Sequence, residues 1–121
     1  MDLSYLNIID QKKDVIDGVA DYLWENPETA FTEFKSAAKL CQVLRDEGFQ
    51  VEENLCGIPT AFSGTYGSGK PVIGILGEFD ALSGLSQKAG CTVREPLVEN
   101  GDGHGCGHNL LGAGSMAAAY A

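Results

Sequence analysis

The run Pro71-Val72-Ile73-Gly74-Ile75-Leu76 holds no polar side chain. A strand with one wet face alternates polar and apolar residues, so an unbroken apolar run of strand length predicts a strand covered on both faces. Such a strand needs layers to cover it, and the flanking sequence offers helices. From about Ser4 to Asn26 the residues Ile9, Ile16, Val19 and Leu23 recur at multiples of the helical turn, while Lys12, Lys13, Asp14 and Asp21 fall elsewhere. Asn26-Pro27 should end this amphipathic helix. A second helix is expected from about Glu33 to Glu47, with Phe34, Ala37, Ala38, Cys41 and Leu44 on one face. Thr32 stands where an N-cap belongs and Gly48 where a helix C-terminal glycine belongs.

After Gly48 the period changes. Phe49 and Val51, then Thr60 to Tyr66, suggest short strands, and Asn109 to Ala121, rich in Gly and Ala, suggests a closely packed helix. That helix reaches Ala121 without a capping signal, the pattern of a truncated chain. The order helix, helix, strands, helix predicts an α/β layer architecture. At 121 residues the chain is sized for a single domain. Its 44% hydrophobic and 21% charged residues are the balance of a folding globular protein and not of a disordered one.

Charge removes several function classes. Seventeen acidic against eight basic residues give a formal charge of -9, which repels phosphate backbones and anionic lipid, so neither nucleic acid nor membrane is an expected partner. No basic, apolar secretory signal and no run of transmembrane length is present, which predicts a cytoplasmic protein. Cys41, Cys56, Cys91 and Cys106 form no C-x-x-C pair, so a zinc ribbon and a thioredoxin-type motif are both excluded.

From Gly77 to about His108 there is little periodicity, and a connection of this length in a small domain is usually functional. Its end reads Asp102-Gly103-His104-Gly105-Cys106-Gly107-His108 and contains both of the chain's histidines. In an extended backbone the period of two would send Asp102, His104, Cys106 and His108 to one side, where neighbours could reach one cation or a close pair. The intervening glycines let the backbone turn without Cβ collisions. Thiolate with imidazole suits zinc and other first-row metals. A structural zinc site needs four protein ligands, mostly Cys and His, and there is no second cluster to supply them, so an open or incomplete catalytic site fits better. Glu78 and Asp80 follow directly on the apolar run, at the edge where α/β sheets present functional groups. They are candidates for metal ligation or for orienting a ligand histidine.

Two further motifs imitate nucleotide sites. Gly64-Thr65-Tyr66-Gly67-Ser68-Gly69-Lys70 fills the Gly and Lys positions of a P-loop, but Pro71 follows where Ser or Thr should hold magnesium, and a hairpin turn explains it better. Gly112-Ala113-Gly114-Ser115-Met116-Ala117 has the form of a dinucleotide fingerprint without a preceding strand, and small residues for tight helix packing explain it better.

Asn26-Pro27-Glu28-Thr29-Ala30-Phe31-Thr32-Glu33, Gly77-Glu78-Phe79-Asp80-Ala81-Leu82 and Gly103-His104-Gly105-Cys106-Gly107-His108-Asn109 together resemble the M20 metallopeptidase and amidohydrolase family. The similarity is to the branch of aminobenzoyl-glutamate hydrolases, N-acyl-amino-acid amidohydrolases and related dipeptidases. It implies that residues 1–121 form the N-terminal portion of a three-layer α/β/α zinc-peptidase-like catalytic domain, truncated. It implies two divalent ions, zinc or manganese, bound through Cys106 and His108, with Asp80 as a supporting catalytic residue. Glu78 occupies a place held by a ligand histidine in many members, and His104 stands beside the motif. The implied reaction is hydrolysis of the amide bond of N-acyl or N-aminoacyl amino acids, such as aminobenzoyl-glutamate or dipeptides. The implied parent is a homodimer through a further domain, with its general-base glutamate and remaining ligands beyond Ala121, so the chain alone is expected to be inactive. The rival expectation is a non-catalytic interaction module with a structural Cys/His metal loop.

Overall fold

A computed structural model describes residues 3–121 of the chain. Its first helical stretch is interrupted. Helix α1 spans Leu6–Gln11 and helix α2 spans Lys13–Glu25, with Lys12 between them at φ -98°, ψ 7°. The apolar face falls where the spacing puts it, since Val19 and Leu23 are buried and Ile9 and Ile16 half-buried. Asn26 closes α2, its backbone N–H and its side-chain amide both donating to the Tyr22 carbonyl.

Helix α3 spans Phe34–Asp46 and buries Ser36, Ala37, Leu40, Cys41, Val43 and Leu44. Its expected face is corrected at two positions, because Phe34 and Ala38 are exposed. Its expected cap is corrected as well. The Thr32 hydroxyl turns back to the Thr29 carbonyl, and the helix N-terminus is satisfied from a distance by Glu28. The Glu28 carboxylate accepts from the Lys35 N–H at 3.0 Å, the Ser36 N–H at 2.8 Å and the Ser36 hydroxyl at 2.8 Å. A carboxylate there meets free N–H groups and the positive end of the helix dipole together. Gly48, at φ +87°, ends the helix as expected.

Strands β1, Gln50–Glu53, and β2, Phe62–Thr65, pair antiparallel with Gln50 opposite Thr65 and Glu53 opposite Phe62. Gly64 lets this hairpin lie on α3, since a Cβ there would stand 3.1 Å from the Leu44 side chain. Helix α4 spans His108–Tyr120. The core gathers Val19, Ala20 and Leu23 of α2, Leu40, Val43 and Leu44 of α3, and Ala113 and Met116 of α4, with Phe49, Val51, Phe62 and Phe79 packed around it. Helices and a small sheet thus share one core, in keeping with an α/β chain.

The apolar run 71–76 is the main departure from expectation. It forms no strand, and Val72, Ile73 and Leu76 are 83%, 82% and 89% exposed. A strand needs partners for its N–H and C=O groups as well as covered faces. The sheet among the described residues is the β1–β2 pair, and the chain leaves it through a turn with Gly67 and Gly69 at positive φ. Of the P-loop-like residues, Gly64 and Thr65 lie in β2 and residues 66–70 turn out into extended chain, so the expected hairpin turn is corrected: no paired strand follows it among the described residues. The run is tethered at its end, where the Ser115 hydroxyl of α4 donates to the Leu76 carbonyl at 3.1 Å. Gly112 serves close packing of α4, since a Cβ would stand 3.0 Å from the Phe79 Cβ.

Candidate metal centre

Residues 77–82 are extended but belong to no sheet. Single bridges hold them: Thr29 pairs with Ala81, and Leu82 exchanges two 3.0 Å hydrogen bonds with Gly103. Phe79 packs against Phe62, with ring centroids 5.6 Å apart, and Ala81 is buried. The pleat then puts Glu78 and Asp80 on the opposite side. Across from them stands His108, the first residue of α4, delivered by Gly107 at φ 79°.

The three side chains meet. Asp80 Oδ1 lies 2.7 Å from His108 Nδ1, and Glu78 Oε2 lies 3.3 Å from His108 Nε2. One ligand atom from each falls within 4.8 Å of the others. An ionised aspartate can only accept, so the Nδ1 proton of His108 points at Asp80. That leaves Nε2 directed at Glu78, an arrangement serving either an imidazolium between two carboxylates or a neutral imidazole that shares a cation with Glu78. The second is the carboxylate–histidine–metal relay, in which the carboxylate fixes the tautomer and aims the ring.

The other members of the Asp102 to His108 stretch do not share one side, and the expectation of a common extended face is corrected. A turn closed by the Gly107 N–H donating to the His104 carbonyl at 2.9 Å breaks the period of two. Cys106 sits on this turn, exposed, and Asp102 is half-buried; both lie outside the Glu78, Asp80, His108 group. His104 points inward instead. It is 5% exposed, its Nε2 is 3.0 Å from the Leu23 carbonyl, and its Nδ1 is buried without a partner. Burial pushes its pKa down, opposed by the bond to Leu23 and reinforced by the nearby His108.

Gly103 and Gly105 allow the loop to close this tightly. A Cβ on Gly103 would collide with the Leu85 carbonyl, and one on Gly105 would lie 2.5 Å from Leu85 Cδ1. Between Leu82 and Gly103 the chain makes a loop tied by Ser86, whose N–H donates to Gly101 and whose hydroxyl accepts from Val98. An open cleft of about 840 Å³ lies between this loop and the end of α2, lined by Trp24, Lys88, Val98, Asp102 and His104 among others. It does not include Glu78, Asp80 or His108. The role of Glu28 escaped sequence reasoning because capping rules look at the residue beside the helix, whereas this carboxylate reaches back across a loop.

With the first and second motif stretches bridged through Thr29 and Ala81, and the second and third meeting where Asp80 faces His108, the chain is similar to M20-type hydrolases. Over 103 residues, 85% of the chain, it is 52% identical to a subunit of the p-aminobenzoyl-glutamate hydrolase of Escherichia coli, of which it covers 21%. Over 116 residues, 94% of the chain, it is 28% identical to thermostable carboxypeptidase 2 of Saccharolobus solfataricus, of which it covers 28%. The chain thus spans between about a fifth and rather more than a quarter of the curated relatives it matches. No family model matches it. Among the described residues no helix is long and apolar enough to cross a membrane.

Proposed function

We propose that this chain carries part of the metal centre of a hydrolase that cleaves the amide bond of N-acyl or N-aminoacyl amino acids. The observation that carries the reading is the 2.7 Å contact between Asp80 Oδ1 and His108 Nδ1, with Glu78 facing the other ring nitrogen. It is the arrangement a metal-binding histidine requires, because the base strength and direction of Nε2 are both set from behind. The names of the relatives support the substrate class, since p-aminobenzoyl-glutamate is an amide of an amino acid and a carboxypeptidase cuts an amide at a C-terminal residue.

In this reading His108 and Cys106 are metal ligands, Asp80 is the residue that positions His108, and Glu78 faces the same space. Carboxylate, imidazole and thiolate together suit zinc or manganese, and we assign two ions. When bound, such ions lower the pKa of a water and polarise the amide carbonyl. The chain's own residues hold a proton at Nδ1 of His108, orient its ring, and keep the Cys106 thiol accessible on its turn. The run 71–76 becomes a covered strand of a three-layer α/β/α catalytic domain in the longer protein. By itself the chain offers too few donors for two ions, so we infer that it binds metal weakly and hydrolyses no amide.

The test is made on the full-length protein that contains this segment. It should carry about two ions per chain, lose activity to a chelator while keeping its fold, and lose turnover in His108→Ala and in Cys106→Ala. Near-normal turnover in either variant removes that residue from the site. Unfolding on chelation would favour a structural metal loop instead.

A further inference from the structure

His104 lies outside the reacting group and is the more deeply buried of the chain's two histidines. The hydrogen bond of its ring, Nε2 to the Leu23 carbonyl at 3.0 Å, joins residues 81 apart in sequence. A second bond of the same kind follows close by, where the Asn109 amide donates to the Ala20 carbonyl at 3.3 Å across 89 residues. Both acceptors are on α2, separated by about one helical turn, and Leu23 itself is wholly buried. Gly105, Cys106, Gly107 and His108 are therefore strung between two anchors on one fixed helix.

Glycines flank Cys106 on both sides, and Gly107 holds a positive φ. A segment of this kind has many backbone conformations to lose, so something must select the one that turns His108 toward Asp80. We propose that His104 is the positioning residue that does so. Its Nε2–H clamps the turn to the C-terminal end of α2 and thereby sets where His108 and Cys106 stand before any cation arrives. The proposal rests on the metal-centre reading given above and assigns His104 no contact with metal or substrate.

Two details favour a clamp over plain core filling. The Leu23 carbonyl lies in the last turn of α2, where its i+4 residue is Pro27 without an N–H and the Asn26 N–H reaches it at 3.3 Å, so a side-chain donor at 3.0 Å is useful there. The other ring nitrogen, Nδ1, is buried with no partner. A leucine would fill the same space without that unsatisfied atom, so the imidazole is kept for its single N–H.

With both rings neutral, the geometry calls for opposite tautomers in the two histidines: Nε2–H in His104, which donates to a carbonyl, and Nδ1–H in His108, which donates to a carboxylate. Nitrogen-15 NMR of the intact chain distinguishes them, and two histidines give two separable ring systems. Nε2–H at His104 is the expected result; Nδ1–H there overturns the clamp. Nε2–H at His108 would instead overturn the metal-centre geometry and leave the His104 result standing.

Variants supply the functional arm. His104→Gln keeps an amide N–H near the lost Nε2–H, and His104→Leu fills the space without a donor. In a Co²⁺ titration of the full-length protein, followed by the thiolate-to-cobalt absorption band, His104→Leu should bind about 10- to 100-fold more weakly than the unmodified chain. His104→Gln should recover most of that loss. Equal affinity in the leucine variant and the unmodified chain, or no recovery by glutamine in a folded protein, overturns the proposal. If the leucine variant does not fold, the tautomer measurement decides. If the unmodified full-length protein takes no Co²⁺ and matches His108→Ala, the metal-centre reading fails while the tautomer of His104 still decides the clamp.

Discussion

The helical layer and the segment from Pro71 to Gly107 are built on different principles. In α2, α3 and α4, apolar residues recur at the helical spacing and their backbone groups satisfy one another, so position is fixed by many weak contacts. The segment from Pro71 to Gly107 contains no helix or strand and is held at a few points: Ala81 on Glu28 and Thr29, Leu82 on Gly103, and His104 on Leu23. All the candidate chemistry except His108 is on the second region. A rigid layer thus supplies position, and a sparsely tied loop supplies reactive groups that a continuous ladder would have turned into the core.

This contrast is broken most severely by Leu23→Ala. Leu23 is 0% exposed at the centre of the core, and its truncation should cost about 3 kcal/mol, lowering the midpoint of denaturant unfolding followed by circular dichroism. Gly103→Ala should cost about 2 kcal/mol, because its Cβ meets backbone that cannot swing aside. Here the helical signal should survive while protection of the 82–103 loop from proteolysis is lost. Equal loss of helix and loop would mean that the two regions unfold as one.

A smaller effect comes from pH. Burial pushes the Cys41 thiol of α3 up from 9.0 to about 11. A pKa raised on folding contributes in full below the unfolded value and is lost as pH rises through the folded one, so stability should decline between pH 9.0 and about 11. Cys41→Ala should flatten that decline. Cys41 should also resist thiol reagents that modify the exposed Cys56, Cys91 and Cys106. The least effect is expected at Ile73→Ser, less than about 0.5 kcal/mol, since 82% of that residue already faces water. A larger loss would show that the run 71–76 is held by contacts within this chain.

The helical layer was legible in the sequence because its signals are local. The face of Val19 and Leu23, the stop at Asn26 and the glycine end of α3 each follow from spacing within one element. The pairing of Asp80 with His108 was legible in outline, as a carboxylate able to orient a ligand histidine. What was not legible depends on distant partners. Glu28 outcompetes Thr32 as the cap of α3 because a loop brings it back over the helix end. The common face expected for Asp102, His104, Cys106 and His108 fails because the turn at Gly105 and Cys106 rotates each residue differently, sending His104 to α2 and His108 to Asp80. The run 71–76 has the composition of a covered strand, but composition does not say where the covering elements come from.

That run also bears on how the chain behaves in company. Val72, Ile73, Gly74, Ile75 and Leu76 form an exposed, uncharged, β-prone window, the kind of sequence through which chains stick to one another in register. Pro71 at one end has no N–H to extend such pairing, and Glu78 just past the other end adds a charge that repeated copies would have to stack. The carboxylate facing His108 thus stands at the border of that window, where a charge opposes such stacking.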